Sequence, residues 1–359
     1  MKAAVLYEPN TPLKIEELDL KEPGPGEVMV KMVASGVCHS DWHVVKGEWS
    51  HIPLPSVLGH EGAGIVEAVG PTVTGVEPGD HVILAWRSSC GTCEMCQRGC
   101  PALCDRSPRV SSKPSVRGTE TAMNQMGGLG TFGSYTVVPA VAAVPIDKDV
   151  PFPQASLVGC GVTTGVGAAI NTARVQPGST TAVFGCGGVG LNCIQGCAIA
   201  GATTIIAVDL LDNKLELGRE FGATHTVNAS RENPVEAIQE LTGGAGVHYA
   251  FEAIGLAKTI EQAYAAIRRG GTTVVIGVTP ADVRVSINAN EMVYSEKTLM
   301  GSVYGSSRPR IDILNLLEMH EAGKLQLDEL LTRTYPLEQI NEAYAALERG
   351  EVARSLVLA

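Results

Sequence analysis

The stretch CGTCEMCQRGCPALC, residues 90–104, packs five cysteines into fifteen positions. Cys90, Cys93 and Cys96 stand three apart, and Cys104 lies eight further on. Four thiolates on a short loop can enclose one Zn²⁺ tetrahedrally and leave no open position, which makes a structural site rather than a catalytic one. Cys100 is the fifth. Spacing alone does not exclude it, because 93, 96 and 100 are also ligand-like. A disulfide or redox cluster is the competing chemistry, and the redox compartment decides between them.

The second chemistry-bearing stretch is GCGGVG, with Gly185, Gly187 and Gly190 in G-x-G-x-x-G spacing and Gly188 and Val189 between them. It follows a strand-like TTAVF and opens a small-residue helix. Asp209 ends the next strand, TIIAVD, 19 residues after Gly190. Glycines there allow a tight turn and let a pyrophosphate approach backbone N–H groups at a helix N-terminus. A carboxylate at the end of the second strand accepts bonds from ribose hydroxyls and repels a 2′-phosphate. The expected cofactor is therefore NAD rather than NADP.

Two textures must position these residues. Up to about residue 160, short strands such as EVMVKMVASGV, GIVEAVG and DHVILAW alternate with Gly/Pro turns, reading as an irregular, mostly β domain. From about residue 178, strands alternate with helices, which means a doubly wound parallel sheet in an α/β domain. There TIEQAYAAIRRG reads as helix and TTVVIGV as strand. The tail from about 303 carries two amphipathic helices and a strand-like SLVLA that can return to the first domain.

The chain has 359 residues, 45% of them hydrophobic and 18% charged, with a net charge of −11. That suits two globular domains and argues against nonspecific binding to nucleic acid or an anionic membrane, both of which need clustered Lys and Arg. No apolar run approaches the roughly 18 residues of a spanning helix. The start MKAAVLYEPN lacks a signal-peptide core, so the expected location is cytoplasmic. Thiols there stay reduced, which favours metal binding over disulfides.

With the cysteine lobe and the glycine turn in hand, the sequence resembles the zinc-dependent medium-chain alcohol dehydrogenases, whose structural lobe has the same three, three, eight spacing. GHEGAGIVEAVGPTV, GVCHSDWH and LVGCGVTTG extend the resemblance over essentially the whole chain. It implies a β-rich GroES-like catalytic domain (1–161 and 303–359, with a zinc lobe at about 88–106) and a Rossmann NAD-binding domain (162–302). It implies two zinc ions per chain. Cys90, Cys93, Cys96 and Cys104 hold the structural one, with Cys100 a bystander. Cys38, His60 and Cys160 hold the catalytic one, with Glu61 a nearby carboxylate that approaches the metal during ligand exchange and Asp41 orienting the His60 ring.

The resemblance also implies a proton relay from Ser40, through a cofactor ribose, to His43 at the surface. His39, where relatives often carry Arg, and Arg354 match residues reaching the pyrophosphate. Lys214 matches a ribose contact, Thr164 and Val189 match neighbours of the nicotinamide, and Ile276 matches the backbone bonded to its carboxamide. Trp49, Trp86, Leu129 and Val278 fall at or near substrate-lining positions, implying a bulky apolar or aromatic primary alcohol. Trp49 replaces an acidic residue of relatives that oxidise S-hydroxymethyl-glutathione, yet ILAWRSSCGTC is similar to relatives acting on a mycothiol adduct. A formaldehyde–thiol-adduct dehydrogenase is the alternative, and a non-catalytic member of the fold is a third. The family implies pairing through TLMGSVYG, residues 298–305, as a homodimer. The tetramer is the alternative, disfavoured by the long segment between Cys104 and Phe132.

Overall fold

The computed structural model describes residues 1–359 and divides into two compact units. The first comprises Met1–Cys160, Arg308–Glu321 and Leu327–Ala359. Its main sheet is built around the strand Glu27–Val37. In EVMVKMVASGV the two-residue period sends Val28, Val30 and Met32 into one core with Val66, Val82 and Val138. Gly62–Val69 and Tyr135–Pro139 pair antiparallel with it. The C-terminal strand Arg354–Leu358 also pairs antiparallel with it, Ser355 opposite Val37 and Leu358 opposite Ala34. The tail thereby completes this sheet, and residue 354 is delivered next to the start of helix α1, His39–Val45.

The second unit comprises Gly161–Ser307 and Ala322–Gln326. Its six strands are all parallel, in the order His225–Asn228, Thr204–Asp209, Thr180–Phe184, Val247–Glu252, Ile267–Val275, Thr298–Gly301. Numbered along the chain this is 3-2-1-4-5-6, the Rossmann order. Such a sheet binds ligands at the carboxyl ends of its strands, where the order reverses. The glycine turn sits at that point, between Thr180–Phe184 and the helix Gly188–Ile199.

The structure differs from the sequence reading in several places. By contact the chain rejoins the first unit at 308 rather than 303, and within the second unit Ser306 hydrogen-bonds Thr172 at 2.8 Å. Residues 322–326 also return to the second unit, where Gln326 N donates to Gln195 Oε1 at 2.7 Å and Gln195 Nε2 donates to Gln326 O at 3.1 Å. The segment read as one helix over TIEQAYAAIRRG stops at Ala266, and Ile267–Val275 is a single strand. Ile267 already pairs with Val247, and Gly270, at φ +68°, absorbs the register shift that follows. No helix is long and apolar enough to cross a membrane.

Candidate catalytic centre, cysteine lobe and dinucleotide turn

Cys38, His60, Glu61 and Cys160 come from three separated stretches, yet their ligand atoms lie within 4.8 Å of one another. All four are buried, Glu61 completely. Each is positioned by a local feature. Cys38 precedes α1 in extended conformation. His60 and Glu61 lead into Gly62–Val69. Cys160 lies in a π-helical turn, Val158–Val162, a local widening of the helix often found at functional sites. Gly159 lets that turn lie against the sheet, since a Cβ there would meet the Leu84 carbonyl oxygen at 3.0 Å.

The electrostatics of the set call for a cation. His60 Nδ1 lies 3.0 Å from Asp41 Oδ2, and Asp41 Oδ1 accepts from Gly59 N at 2.8 Å. The carboxylate thus fixes the ring so that Nε2 is the nitrogen left for a ligand role. Burial on its own lowers the His60 pKa, but Asp41 and Cys38 override it and raise it to about 10. The Cys38 thiol is held well below its usual range, by hydrogen bonding from Cys160 first, against the opposing effect of burial, and then by His60. Glu61 Oε2 is ion-paired with Arg354 Nη2, while its Oε1 is buried without a hydrogen-bond partner. Two thiols, an imidazole and an orphaned carboxylate oxygen in one buried cluster are a donor set suited to Zn²⁺. Gly36 makes room for the carboxylate, because a Cβ there would overlap Glu61 Oε2.

The lobe cysteines form the second group. The sulfurs of Cys90, Cys93, Cys96 and Cys104 lie within 4.8 Å of one another, with Cys93 to Cys104 at 3.8 Å and Cys90 to Cys96 at 4.0 Å. A tetrahedron of sulfurs about 2.3 Å from zinc has edges of about 3.8 Å. Backbone N–H groups of Thr92 and Cys93 donate to Cys90 Sγ at 3.4 and 3.3 Å. The Thr92 hydroxyl, followed by these donors, lowers the Cys90 pKa to about 6. Cys100 is exposed and outside the group, and no cysteine is in a disulfide. Cys186, Cys193 and Cys197 are fully buried in the second unit.

In the second unit Gly185 adopts φ +95°, a conformation glycine takes without strain. A Cβ on Gly190 would overlap the Gly185 carbonyl oxygen, so the helix can start only this close to the strand with glycine at 190. A Cβ on Gly187 would meet nothing within 4 Å, and no side chain caps the helix that begins at Gly188. Open space over uncapped N–H groups fits a pyrophosphate. Asp209 Oδ2 accepts from Cys186 N at 2.8 Å, which ties the turn to the second strand. Lys214 is buried, and burial lowers its pKa against the opposing pull of Asp209. Thr164 is half-buried on Thr163–Gly167, and a Cβ on the adjacent Gly165 would overlap the Val189 carbonyl oxygen. Ile276 N donates to Glu252 O at 2.8 Å, and Val278 is half-exposed just beyond.

Several side chains have neighbours that the sequence did not foretell. Arg354, read as a pyrophosphate contact, is buried on Glu61. Leu129, read as pocket lining, is fully buried in the core with Val82 and Leu84. Trp86 and His60 meet edge to face, ring centres 6.4 Å apart. Trp49 instead stacks on His43, centroids 5.3 Å apart and planes 16° from parallel. Ser40 Oγ lies 3.6 Å from Cys38 Sγ, and His39 is exposed at the start of the same helix. Sequence reasoning missed Glu48, whose Oε2 meets His43 Nδ1.

A family model of the alcohol dehydrogenase GroES-like domain matches residues 24–148, and one of zinc-binding dehydrogenases matches residues 188–320. The NDMA-dependent alcohol dehydrogenase of Amycolatopsis methanolica is 39% identical over 99% of this chain and 98% of its own. The S-(hydroxymethyl)glutathione dehydrogenase of Paracoccus denitrificans is 38% identical over 99% of each. The crystal structure of benzyl alcohol dehydrogenase from Acinetobacter calcoaceticus superimposes with a TM-score of 0.93 at 35% identity, covering 99% of this chain and 98% of that one. Likeness of this degree along the full length, over a fold and a donor set that suit the chemistry, places the chain in the zinc-dependent medium-chain alcohol dehydrogenase family, as an enzyme of that class.

Proposed function

We propose that the protein oxidises a bulky apolar or aromatic primary alcohol to its aldehyde with NAD, reversibly, using one catalytic and one structural zinc per chain. The observation that carries this reading is the buried Cys38–His60–Cys160 set with the Ser40 hydroxyl beside it and the Trp86 ring against His60. When bound, zinc supplies the Lewis acidity that lets an alcohol give up its proton near neutral pH, and NAD supplies the hydride acceptor.

The chain's own residues do the rest. Cys38, His60 and Cys160 hold the metal, and Asp41 keeps His60 in the right tautomer. Trp86 gives the alcohol an apolar surface. Ser40 would take the alcohol's proton as its own hydroxyl proton leaves on the side of the cofactor ribose, and His43, one turn further along α1, would accept the proton at the surface end of that path and pass it to solvent. Cys90, Cys93, Cys96 and Cys104 hold the structural zinc. Arg354 holds Glu61 by its Oε2 and so sets where that carboxylate sits in the ligand set. The open turn at Gly187 receives the pyrophosphate, and Asp209 receives the adenosine ribose.

The likeness to a benzyl alcohol dehydrogenase supports the aromatic substrate, and that to an S-(hydroxymethyl)glutathione dehydrogenase keeps the thiol adduct as the alternative. One kinetic panel tests the reading: benzylic, linear and hydroxymethyl-thiol alcohols, each with NAD and with NADP. The highest kcat/KM is expected for a benzylic alcohol with NAD, and Asp209→Gly is expected to narrow the NAD preference. Activity confined to formaldehyde plus a thiol, or a higher kcat/KM with NADP, would overturn it.

The working unit is proposed to be a homodimer. Thr298–Gly301 pairs with Ile267–Val275 on one side only, and the other edge is open. The strand is shorter than the segment read from sequence, because residues 304–306 form a 3-10 turn. The helix leading into it carries Val293 and Tyr294, 71% and 72% exposed. An open edge beside exposed apolar side chains invites pairing with a second copy. Light scattering at micromolar concentration is expected to give twice the chain mass. A monomer or a tetramer would refute this.

A further inference from the structure

We infer that Glu48 is a positioning residue for the proton relay: it locks the tautomer of His43 so that Nε2 is the nitrogen able to take up the alcohol's proton. The inference rests on the proposed role of Ser40 and His43 and goes beyond it in naming what prepares the histidine.

The local fold brings the two residues together. Helix α1 ends at Val45 with Lys46 as its C-cap, and Gly47 follows at φ +74°. Gly47 N donates to Val44 O at 3.0 Å, and Glu48 N donates to His43 O at 2.9 Å. These are the two bonds of a Schellman ending, which folds the second residue after the cap back over the third residue before it. Those residues are Glu48 and His43. Glu48 therefore cannot extend away along the surface, as a residue five further on an uninterrupted helix would. Its Oε2 meets His43 Nδ1.

The chemistry follows from donor and acceptor types. A carboxylate only accepts, so Nδ1 must carry the hydrogen of the neutral ring. Nε2 is then the free lone pair. The Trp49 ring lies nearly parallel over one face of the imidazole, and Trp49 N also points at His43 O, at 3.4 Å. Stacking on one side and the carboxylate at Nδ1 together oppose rotation of the ring. The base is thereby held in one orientation before any proton arrives, which is the part of acid–base catalysis that structure can prepare in advance. The side chain of His43 is 25% exposed and that of Glu48 44% exposed, so water reaches the pair and can carry the proton away.

A double-mutant cycle tests this, read as the pre-steady-state burst of reduced nicotinamide with a benzylic alcohol. Glu48→Ala is expected to slow the burst by about 10-fold, the low end for losing a residue that orients a functional group. His43→Gln is expected to slow it by up to about 10²-fold. The double variant should be no slower than His43→Gln alone, because Glu48 acts only through the ring. Added imidazole buffer should restore both single variants, a response that a packing defect would not show. Zinc content and NAD affinity should stay unchanged, and the exposed position of Glu48 makes misfolding an unfavourable explanation for any loss. If Glu48→Ala keeps full speed, or slows the His43→Gln background by a further 10-fold, Glu48 does not act on His43 and the inference falls while the relay stands. If His43→Gln itself keeps full speed, the relay reading falls and the inference with it.

Discussion

Ser40→Ala is expected to lower kcat by on the order of 10²- to 10⁴-fold, the range for losing one positioned proton-transfer group. Zinc content and NAD affinity should stay near those of the unmodified protein. The reason lies in where the hydroxyl sits. Ser40 Oγ is 3.6 Å from Cys38 Sγ, on the first turn of a helix whose preceding residue is a proposed metal ligand. On the proposed reading, a group this close to a metal ligand reaches the alcohol that the metal would hold. Its removal leaves the alcohol's proton without a first acceptor, and no other hydroxyl in GVCHSDWH can substitute. His43→Gln acts further out, where the ring is partly exposed and water can replace it, so its effect is smaller. The order Ser40→Ala worse than His43→Gln is the signature of a chain of transfers that begins at the substrate. Full activity in Ser40→Ala would show that the proton leaves by another path.

What the sequence disclosed, and what it hid, divides along the range of the interactions. The glycine turn was legible because its requirements are local: strand, left-handed Gly185, close-packed Gly190, Asp209 one βα unit on. The alternation of strands and helices was legible for the same reason. The boundary at Ala266 was misread because AAIRRG has good helix formers, and the strand partner that overrides them, Val247, lies 20 residues back. The second unit runs on by contact to Ser307 rather than 302, and a bond such as that from Ser306 to Thr172, 134 residues away, leaves no local signal in the sequence. Resemblance grouped Cys38, His60 and Cys160, since no spacing argument joins positions so far apart, and the structure brings them together.

The side-chain partners were the least legible. Arg354 was assigned by family position to a phosphate, while the strand pairing Ser355 with Val37 delivers it to Glu61. Nothing in the spacing of Trp49 tells a pocket wall from a stacking partner of His43. Glu48 had a signal that went unread: a glycine directly after a helix, in HVVKGEW, predicts a Schellman ending and a fold-back of the next residue onto the histidine.

The second large effect is expected in the cysteine lobe. Between residues 90 and 104 the backbone forms only the four-residue helix Glu94–Gln97 and the 3-10 turn Pro101–Leu103. So little regular structure cannot hold four sulfurs within 4.8 Å without a cross-link, and no disulfide is present to provide one. Zinc binding is then folding free energy for this segment, worth about 10–16 kcal/mol in isolated zinc-finger peptides. Part of that survives here, because Arg87 donates to Ala102 O at 3.0 Å and to Cys104 O at 3.3 Å and pins one end of the loop. Cys93→Ala is expected to release one of two zinc ions and to cost at least about 3 kcal/mol. At about 2–4 °C per kcal/mol this is a fall in Tm of roughly 6–12 °C. Cys160→Ala should release the other zinc and abolish turnover. Cys100→Ala should keep both ions and the Tm, since its thiol is exposed and outside the group. Metal analysis and thermal unfolding of the three variants decide the assignment. A Cys100→Ala protein that loses a zinc, beside a Cys104→Ala protein that keeps both, would show that the loop closes around the metal with the other set of sulfurs.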